Sequence, residues 1–276
     1  MASATGGPGS DAAATRSRVV AVTGGAQGIG FGIAKMFARD GCSVALLDMN
    51  KAVLQLQLRK RGPAAAIAHP LLRGPGLAET LPWLGVTFAM DVSSEADWSA
   101  TVEVTGLGGL DVLVQSAGVT GRTKVLTHEV DPADFDFVMR VNCRGTFLGC
   151  RAVLGRMKAQ GGGRVINIAS IAGKEGNAGM CAYSTSKAAV IGMTKVMGKE
   201  YAETGVTVNA VAPAVVQTAM VDAMPAEQVK YMTDKIPMKR TGTIAEIASL
   251  VRFIASPDAS FTTGFTFDAT GGRAVY

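Results

Sequence analysis

From Val19 onward, short runs of β-branched residues alternate with glycine-bearing turns and longer stretches of helical periodicity. This alternation is typical of βαβ units, in which parallel strands form a sheet with helices on both faces. Because crossovers between parallel strands are right-handed, such units build a doubly wound sheet. The sequence therefore predicts an α/β fold with a single seven-stranded parallel sheet flanked by helices. The predicted strands are residues 18–23, 43–47, 86–90, 110–114, 163–169, 206–211 and 264–267.

Composition excludes several classes of protein. The chain is 48% hydrophobic and 18% charged, which supplies a large core and argues against disorder. The net charge of +5 comes from scattered basic residues rather than a basic cluster, so we expect no nucleic-acid partner. There is no apolar run of the roughly 18 residues that a membrane span needs, so we expect no membrane partner. The four cysteines form no CxxC pair, which predicts no metal site and a reducing compartment.

Two segments differ from the rest in composition. Residues 1–17 are small and polar, and they predict a disordered tail ahead of one domain spanning 18–276. A remnant of an organelle import signal is the alternative for this tail, and otherwise we expect a cytoplasmic protein. Residues 59–85 contain several prolines and lack a helical period, so they predict a surface insertion of unassigned role.

The first predicted strand runs into a glycine-rich turn, TGGAQGIG at 23–30, and then into a helical stretch. Glycines allow a tight turn and a close approach of the backbone to a pyrophosphate. The helix N-terminus then offers free N–H groups and a positive dipole end. The pattern predicts a phosphate cradle of the Rossmann kind, although a βα turn without a ligand is the alternative. Its residues are Gly24, Gln27, Gly28, Ile29 and Gly30.

Two acidic residues end the next two predicted strands. Asp48 is placed to accept hydrogen bonds from the ribose hydroxyls of an adenosine, and it would repel a 2′-phosphate. Neither Gly25 nor Met49 supplies a neutralising base, so the sequence favours NAD over NADP. The alternative is that Asp48 caps the following helix. Asp91, with Val92 beside it, is expected to flank the adenine.

Further motifs follow in a fixed order, and the ordered set is more specific than any one of them. They are QSAG (115–118), Asn142 in VNCRGTF, Ser170 after GRVINIA, Tyr183 and Lys187 in YSTSK, VAPAVVQT (211–218) and TGG (270–272). With the glycine turn, they resemble the short-chain dehydrogenase/reductase family over residues 18–272. The resemblance implies a nicotinamide cofactor contacted by Ala117, Gly118, Val216 and Thr218, and by Tyr183 and Lys187.

The chemistry of Tyr183 follows from its position. Tyr183 and Lys187 are four residues apart in a helical stretch, so they share a face. A tyrosine has a pKa near 10, and a nearby ammonium is expected to lower it. Tyr183 is then a base for alcohol oxidation or an acid for carbonyl reduction, with Ser170 orienting the reacting oxygen. Isolated Tyr-x-x-x-Lys pairs are usually exposed. The resemblance further implies that Asn142 holds a relay water and that Lys187 binds the nicotinamide ribose.

The chain departs from the family pattern at two places. Gln115 and Ser116 stand where two asparagines are usual, which is expected to loosen the hydrogen bonds of that turn and alter the adenine side. Ala214 stands where glycine is usual, and its Cβ is expected to narrow the nicotinamide pocket or bias the loop. Neither change removes a reacting group.

Residues 219–240 match the variable substrate lid of the family. Its methionines predict either an adaptable apolar wall or a face turned to the core: Met220, Met224, Met232 and Met238. Its cations predict either a site for a carboxylate or phosphate or a solvated face: Lys230, Lys235, Lys239 and Arg240.

Three functions remain open on the sequence. The preferred one is an NAD-dependent oxidoreductase of a small polar secondary alcohol or ketone, with sugars or sugar acids favoured. The second is a 3-oxoacyl-carrier-protein reductase using NAD(P)H, and the third is a non-enzymatic NAD-binding sensor or scaffold. Residues 187–203 are apolar on more than one helical face, which together with the resemblance predicts a homotetramer.

Overall fold

The computed structural model describes residues 17–54, 86–104, 109–274 and 276. Its sheet has seven parallel strands in the order β3-β2-β1-β4-β5-β6-β7. The strands are β1 Val19–Thr23, β2 Ser43–Asp48, β3 Val86–Ala89, β4 Val112–Gln115, β5 Gly163–Ile168, β6 Val206–Pro213 and β7 Thr266–Ala269. The predicted seven-stranded parallel sheet is therefore confirmed, and each strand end lies within two residues of its expected place.

Helices cover both faces of the sheet. They are α1 Gly28–Arg39, α2 Glu95–Val104, α3 Pro132–Val138, α4 Gly145–Ala159, α5 Ala172–Glu175, α6 Cys181–Glu200, α7 Ala219–Asp222, α8 Ala226–Asp234 and α9 Ile244–Ile254. A π-helical segment, Met139–Arg144, joins α3 to α4. Short 3₁₀ turns lie at Thr127–Glu129, Ala202–Thr204 and Pro257–Ala259. In the segments described, no helix combines the length and the apolarity that crossing a membrane requires.

Two apolar cores hold the sheet between its helices. Successive residues of a strand point to opposite faces, so Val22 joins one core while its neighbour Ala21 joins the other. The first core packs α1 and α9 on the sheet, and the second packs α2, α4 and α6 on the opposite face. Each fully buried large side chain contributes roughly 1.5–3 kcal/mol. The cores therefore fix the carboxyl ends of the strands, from which the site is built.

The less regular predicted segments have different outcomes. The expected tail, apart from Ser17, and the expected insertion at 59–85 lie outside the described residues. The expected lid begins with α7 and α8, and no residue of α8 is buried. Met238 is 64% exposed, while Met224 and Met232 are half-buried. Met238 therefore does not face a core, and an apolar wall formed by Met224 and Met232 remains a prediction.

Candidate active site

The strand order reverses between β1 and β4, and this switch point is where open α/β sheets bind ligands. The two strand ends are tied together there. Thr23 Oγ1 accepts hydrogen bonds from the N–H groups of Ser116 (3.1 Å) and Ala117 (3.2 Å). Gly24 lies so close that a Cβ on it would be 2.8 Å from the Ala117 nitrogen. The glycine turn and the loop after β4 thus form one wall of a crevice.

The glycine turn fits a pyrophosphate. Gly28 has a φ of +55°, and a Cβ on it would meet nothing within 4 Å, so it faces open space. Gly30 packs under the turn, where a Cβ would lie 2.3 Å from the Gly24 oxygen. Gln27 precedes α1 without a side-chain cap, so the first N–H groups of the helix keep their capacity to bind an anion. Contact of Gly28 and Ile29 with a pyrophosphate remains a prediction.

Asp48 lies at the carboxyl end of β2 beside the same turn. Its Oδ2 accepts from the Ala26 N–H at 3.1 Å, and its Oδ1 accepts from the Asn50 N–H at 2.9 Å. The cap of the next helical turn is Asn50, whose Oδ1 accepts from the Val53 N–H at 3.1 Å. Because a carboxylate has about four acceptor positions, Asp48 retains capacity for ribose hydroxyls. The alternative role as helix cap thus falls to Asn50.

The residues after β3 form a tight polar turn. Asp91 Oδ1 accepts from both the N–H and the hydroxyl of Ser93, each at 2.8 Å. The Val92 carbonyl accepts from the Trp98 indole at 2.9 Å, and the Val92 side chain packs against Gly145 at the start of α4. These bonds fix the turn. A contact of Asp91 and Val92 with adenine remains a prediction.

Ser170, Tyr183 and Lys187 are brought together at the carboxyl end of β5. Ser170 follows this strand and is buried, its Oγ accepts from the Ala172 N–H at 3.1 Å, and its hydroxyl acts on the Tyr183 phenol, whose pKa it lowers. Lys187 lies one turn further along α6, with its ammonium 5.9 Å from the centre of the Tyr183 ring. That ammonium donates to the Ile168 carbonyl oxygen at 2.7 Å. The fold therefore assembles three of the four residues predicted to be catalytic.

The protonation of this group differs from the expectation. Burial raises the pKa of Tyr183, and the hydrogen bond from Ser170 lowers it only in part. Burial also lowers the pKa of Lys187 to about 8. The expected depression of the Tyr183 pKa by Lys187 is wrong for the protein groups by themselves. The reason is that desolvation dominates and the ammonium bonds to Ile168 rather than to the phenol.

Asn142 lies in the π-helical segment and is completely buried. Its Nδ2 donates to the Val119 carbonyl (2.8 Å) and to Ser186 Oγ (3.0 Å), and its Oδ1 accepts from the Val119 N–H (2.8 Å). A Cβ on Gly118 would lie 3.2 Å from Asn142 Oδ1 and 3.4 Å from Lys187 Nζ. Asn142 therefore braces the loop after β4 against α6, directly beside Lys187. Its expected role in holding a water remains a prediction.

The expected loosening around Gln115 is not found. The Gln115 side chain is buried, and its Nε2 donates to the Thr146 carbonyl (2.9 Å) and to Asn167 Oδ1 (3.2 Å). The turn itself is held by the bonds from Ser116 and Ala117 to Thr23. Because Gln115 points towards α4 rather than into the turn, its longer side chain leaves those bonds intact.

Ala214, Val216 and Thr218 lie after β6. The Ala214 N–H donates to the Ala269 carbonyl at 3.1 Å, and Val216 is buried. Thr218, in extended conformation, immediately precedes α7. Ala214 also lines a cavity of about 390 Å³ between the lid and the end of β7, where Asp268 lies. None of the four residues predicted to be catalytic lines this cavity, and an effect of Ala214 on a nicotinamide remains a prediction.

Each cation of the lid is already engaged locally. The pairs are Lys230 with Asp234 (2.7 Å), Lys235 with the Tyr231 hydroxyl (2.8 Å), Lys239 with the Asp234 carbonyl (2.7 Å) and Arg240 with Glu246 (2.7 Å). The Arg240 guanidinium lowers the pKa of Glu246 to about 2. These contacts favour the solvated face over an anion site.

The sequence did not point to the contacts of the C-terminal segment with α5. Arg273 pairs with Glu175, and Asp268 pairs with Lys174. Lys174 and Glu175 both lie in α5, shortly after Ser170 in the chain. The partners are 98 and 94 residues apart. No local pattern links residues at that distance, so no signal in a single sequence reveals these pairs.

Comparison with known proteins gives the family. Residues 18–70 match the family model of short chain dehydrogenase, and residues 73–273 match that of Enoyl-(Acyl carrier protein) reductase. The chain is 41% identical to the 2-dehydro-3-deoxy-L-rhamnonate dehydrogenase (NAD(+)) of a Sphingomonas species, covering 94% of this chain and 96% of that one.

Two further relatives are similar over nearly their whole length. The 2-(R)-hydroxypropyl-CoM dehydrogenase of Xanthobacter autotrophicus is 38% identical, covering 90% of this chain and 95% of that one. The 3-oxoacyl-[acyl-carrier-protein] reductase of Thermotoga maritima is 32% identical, covering 94% and 98%. Together with the sheet and the ordered motifs, these matches show that the chain belongs to the short-chain dehydrogenase/reductase family of oxidoreductases.

Proposed function

We propose that this protein is an NAD-dependent dehydrogenase of a small polar secondary alcohol, with a sugar acid as the preferred substrate class. The observation that carries the proposal is the assembly of Ser170, Tyr183 and Lys187, with the Lys187 ammonium 5.9 Å from the Tyr183 ring and the Ser170 hydroxyl lowering the pKa of the phenol. These residues lie at the carboxyl edge of the sheet that also carries the glycine cradle. The name of the Sphingomonas relative supports both the cofactor and the substrate class.

The residues around the crevice have the chemistry to hold NAD. The open turn at Gly28 and the uncapped start of α1 suit the pyrophosphate. Asp48 suits the adenosine ribose, and its negative charge disfavours the 2′-phosphate of NADP. Lys187 and Thr218 are proposed to bind the nicotinamide end. When bound, the nicotinamide supplies the hydride acceptor or donor of the reaction.

The protein groups supply the proton transfer. In oxidation, the deprotonated Tyr183 hydroxyl takes the proton of the substrate alcohol, and in reduction the protonated hydroxyl returns it to the carbonyl oxygen. Ser170 donates to the reacting oxygen and orients it. Lys187 adds a positive charge close to the phenol, and its ammonium is held by the Ile168 carbonyl. Asn142 holds Val119 and Ser186 in place behind Lys187 through its side-chain hydrogen bonds.

A 3-oxoacyl-carrier-protein reductase is the second candidate, and the match to the Thermotoga relative favours it. Such an enzyme needs basic residues for an acidic carrier protein. The lid cations are already paired, which makes this candidate weaker. A non-enzymatic NAD-binding sensor is the third candidate, and the assembled Ser170, Tyr183 and Lys187 argue against it.

The proton-transfer proposal is tested by Tyr183→Phe. This change removes one hydroxyl and keeps the ring, so we expect turnover to fall at least a thousandfold while NAD binding stays within about threefold. Turnover is read as NADH absorbance with a panel of sugars, aldonates, 2-keto-3-deoxy acids and 3-hydroxyacyl thioesters. Undiminished turnover in the variant would refute the role of Tyr183. Turnover of the thioesters alone would favour the reductase.

The cofactor proposal is tested by comparing NAD with NADP at equal concentration. We expect NAD to give at least tenfold higher kcat/KM, and we expect Asp48→Ala to shrink that ratio by relieving repulsion of the 2′-phosphate. Asp40→Ala, which removes an exposed carboxylate at the end of α1, is the matched control and should leave the ratio unchanged. A native preference for NADP would contradict the role of Asp48.

We also propose that the protein acts as a homotetramer in the cytoplasm. Its four cysteines are unpaired, which fits a reducing compartment. The exposed aromatic side chains near the edge strand β7 support an assembly, and light scattering of the native protein tests it.

A further inference from the structure

The C-terminal segment is fastened to the short loop that separates Ser170 from Tyr183. Arg273 Nε donates to Glu175 Oε2 at 2.9 Å, and its Nη2 lies 2.7 Å from the same oxygen. Nη2 also donates to Asn177 Oδ1 at 3.1 Å. The Arg273 side chain is only 11% exposed. One guanidinium therefore holds two side chains of this loop from outside it.

The loop is in turn bonded to the helix that carries Tyr183. The Asn177 N–H donates to Ser184 Oγ at 3.1 Å. Ser184 is the immediate neighbour of Tyr183, and Glu175 lies five residues after Ser170. Arg273 is thus connected through Asn177 to the Tyr183 helix and through Glu175 to the turn after Ser170.

A second ion pair fastens the same segment. Lys174 Nζ lies 2.7 Å from Asp268 Oδ2, and the lysine side chain is only 8% exposed. The Tyr276 hydroxyl donates to the Lys174 carbonyl at 2.8 Å, and the Lys174 ammonium lies 4.8 Å from the centre of the Tyr276 ring. Lys174 and Glu175, which are neighbours in α5, are therefore both bound to the C-terminal segment.

Energetics indicate that these pairs serve geometry more than stability. Charges taken out of water pay a desolvation cost that their mutual attraction often only balances. The planar guanidinium of arginine nevertheless fixes direction, because its donors form a rigid fork. By contrast, the pair of Arg252 with Asp40 is exposed and longer, at 3.3 Å, so it carries neither the desolvation cost nor the fixed direction of the Arg273 pair. The nearly buried Arg273 fork therefore acts chiefly by fixing the position of the loop beside Ser170 and Tyr183.

We propose that Arg273 is a positioning residue for the proton transfer. It holds the 171–180 loop, and with it the positions of Ser170 and Tyr183 relative to one another. Displacement of about 1 Å at such a site can reduce turnover by about a hundredfold. The proposal rests on the function proposed above for Ser170 and Tyr183. It adds that the end of the chain, distant in sequence, sets their geometry.

The test compares Arg273→Gln and Arg273→Lys with Arg252→Gln, which removes the exposed pair far from the site. Hydrogen exchange followed by mass spectrometry measures the protection of residues 170–184 without any substrate. Kinetics with the best substrate of the panel give kcat, its KM and the KM for NAD. Thermal unfolding shows whether each variant is folded at the assay temperature.

We expect Arg273→Gln to speed exchange in 170–184 at least tenfold and to lower kcat tenfold to a hundredfold, with the KM for NAD within twofold. Arg273→Lys keeps one charge but not the fork, so it should recover part of kcat. Arg252→Gln should change none of these values. Native exchange in 170–184 in a folded Arg273→Gln variant would overturn the proposal, and so would a native kcat. Failure of every substrate in the panel would instead refute the proposed function, while the exchange result would still decide the fastening role.

Discussion

At the scale of single residues, burial and the neighbouring Ser170 hydroxyl act in opposite directions on the ionisation of Tyr183, and burial is the larger effect. Burial raises the pKa of Tyr183, and the Ser170 hydroxyl opposes this by stabilising the phenolate. A base for alcohol oxidation must be deprotonated, so oxidation should accelerate as the pH rises through the Tyr183 pKa. Carbonyl reduction needs the protonated form and should show the opposite trend.

Replacing Ser170 with alanine should move that transition. Because the hydrogen bond from Ser170 lowers the Tyr183 pKa, its loss should shift the rising limb of kcat/KM for oxidation to higher pH. We also expect the plateau to fall about tenfold or more, since the reacting oxygen loses a donor. The measurement is kcat/KM against pH, with Ser99→Ala on the exposed face of α2 as control. A limb that stays in place or moves to lower pH would contradict this account.

The four residues predicted to be catalytic could be chosen from the sequence because they occur in a known order on a predictable sheet. The direction of the Tyr183 pKa could not, since it depends on how deeply the fold buries the phenol and on where Lys187 donates. The contacts of Arg273 could not be predicted from the sequence for a related reason. Its partner Glu175 is 98 residues away, and only the folded chain brings the two together.

At the scale of elements, the junction of β1 with α1 makes a prediction with an internal control. Gly28 and Gly41 both have positive φ, +55° and +81°, and a Cβ on either would meet nothing within 4 Å. Substitution by alanine should therefore cost about 1–2 kcal/mol of unfolding free energy at each, from backbone strain. Only Gly28 faces the proposed phosphate cradle. We expect Gly28→Ala alone to weaken NAD binding, by tenfold or more.

The comparison is made by calorimetric titration of NAD and by urea unfolding of both variants. Equal losses of stability with unequal losses of affinity would support the cradle. Equal affinities for NAD in Gly28→Ala and Gly41→Ala would show that this turn does not hold the pyrophosphate.

The elements themselves were largely predictable, because the period of the apolar residues differs between strands and helices. The position of the Gln115 side chain could not be predicted. The amide reaches Thr146 and Asn167 because Gly149 of α4 leaves space, where a Cβ would lie 2.2 Å from the Gln115 oxygen. That fit joins residues from three elements. The Gln115 side chain is therefore accommodated by space in α4, which the QSAG motif by itself does not reveal, while Thr23 holds the turn.

At the scale of the whole molecule, the sheet ends in an edge strand with aromatic neighbours. Phe267 of β7 makes edge-to-face contacts with Phe265 (5.0 Å) and with Phe253 of α9 (6.5 Å). Phe265 is 55% exposed and Phe253 is 45% exposed, and Phe261 nearby is fully exposed. Edge strands with exposed apolar side chains invite association, and apolar patches mark interfaces. This edge is where we expect one two-fold contact between copies.

A second contact is expected on α6, where Val196 is 54% exposed. Two different two-fold contacts on one chain close into a tetramer. Light scattering at micromolar concentration should therefore give a mass about four times the 28.4 kDa of the chain. Phe265→Glu should halve that mass, because a charge buried against a second copy costs more than the patch returns. Tyr231→Glu, on the 63% exposed Tyr231 of the lid, should leave the mass unchanged. A monomeric native protein would refute the tetramer, and a Phe265→Glu variant that remains tetrameric would show that the contact does not involve Phe265.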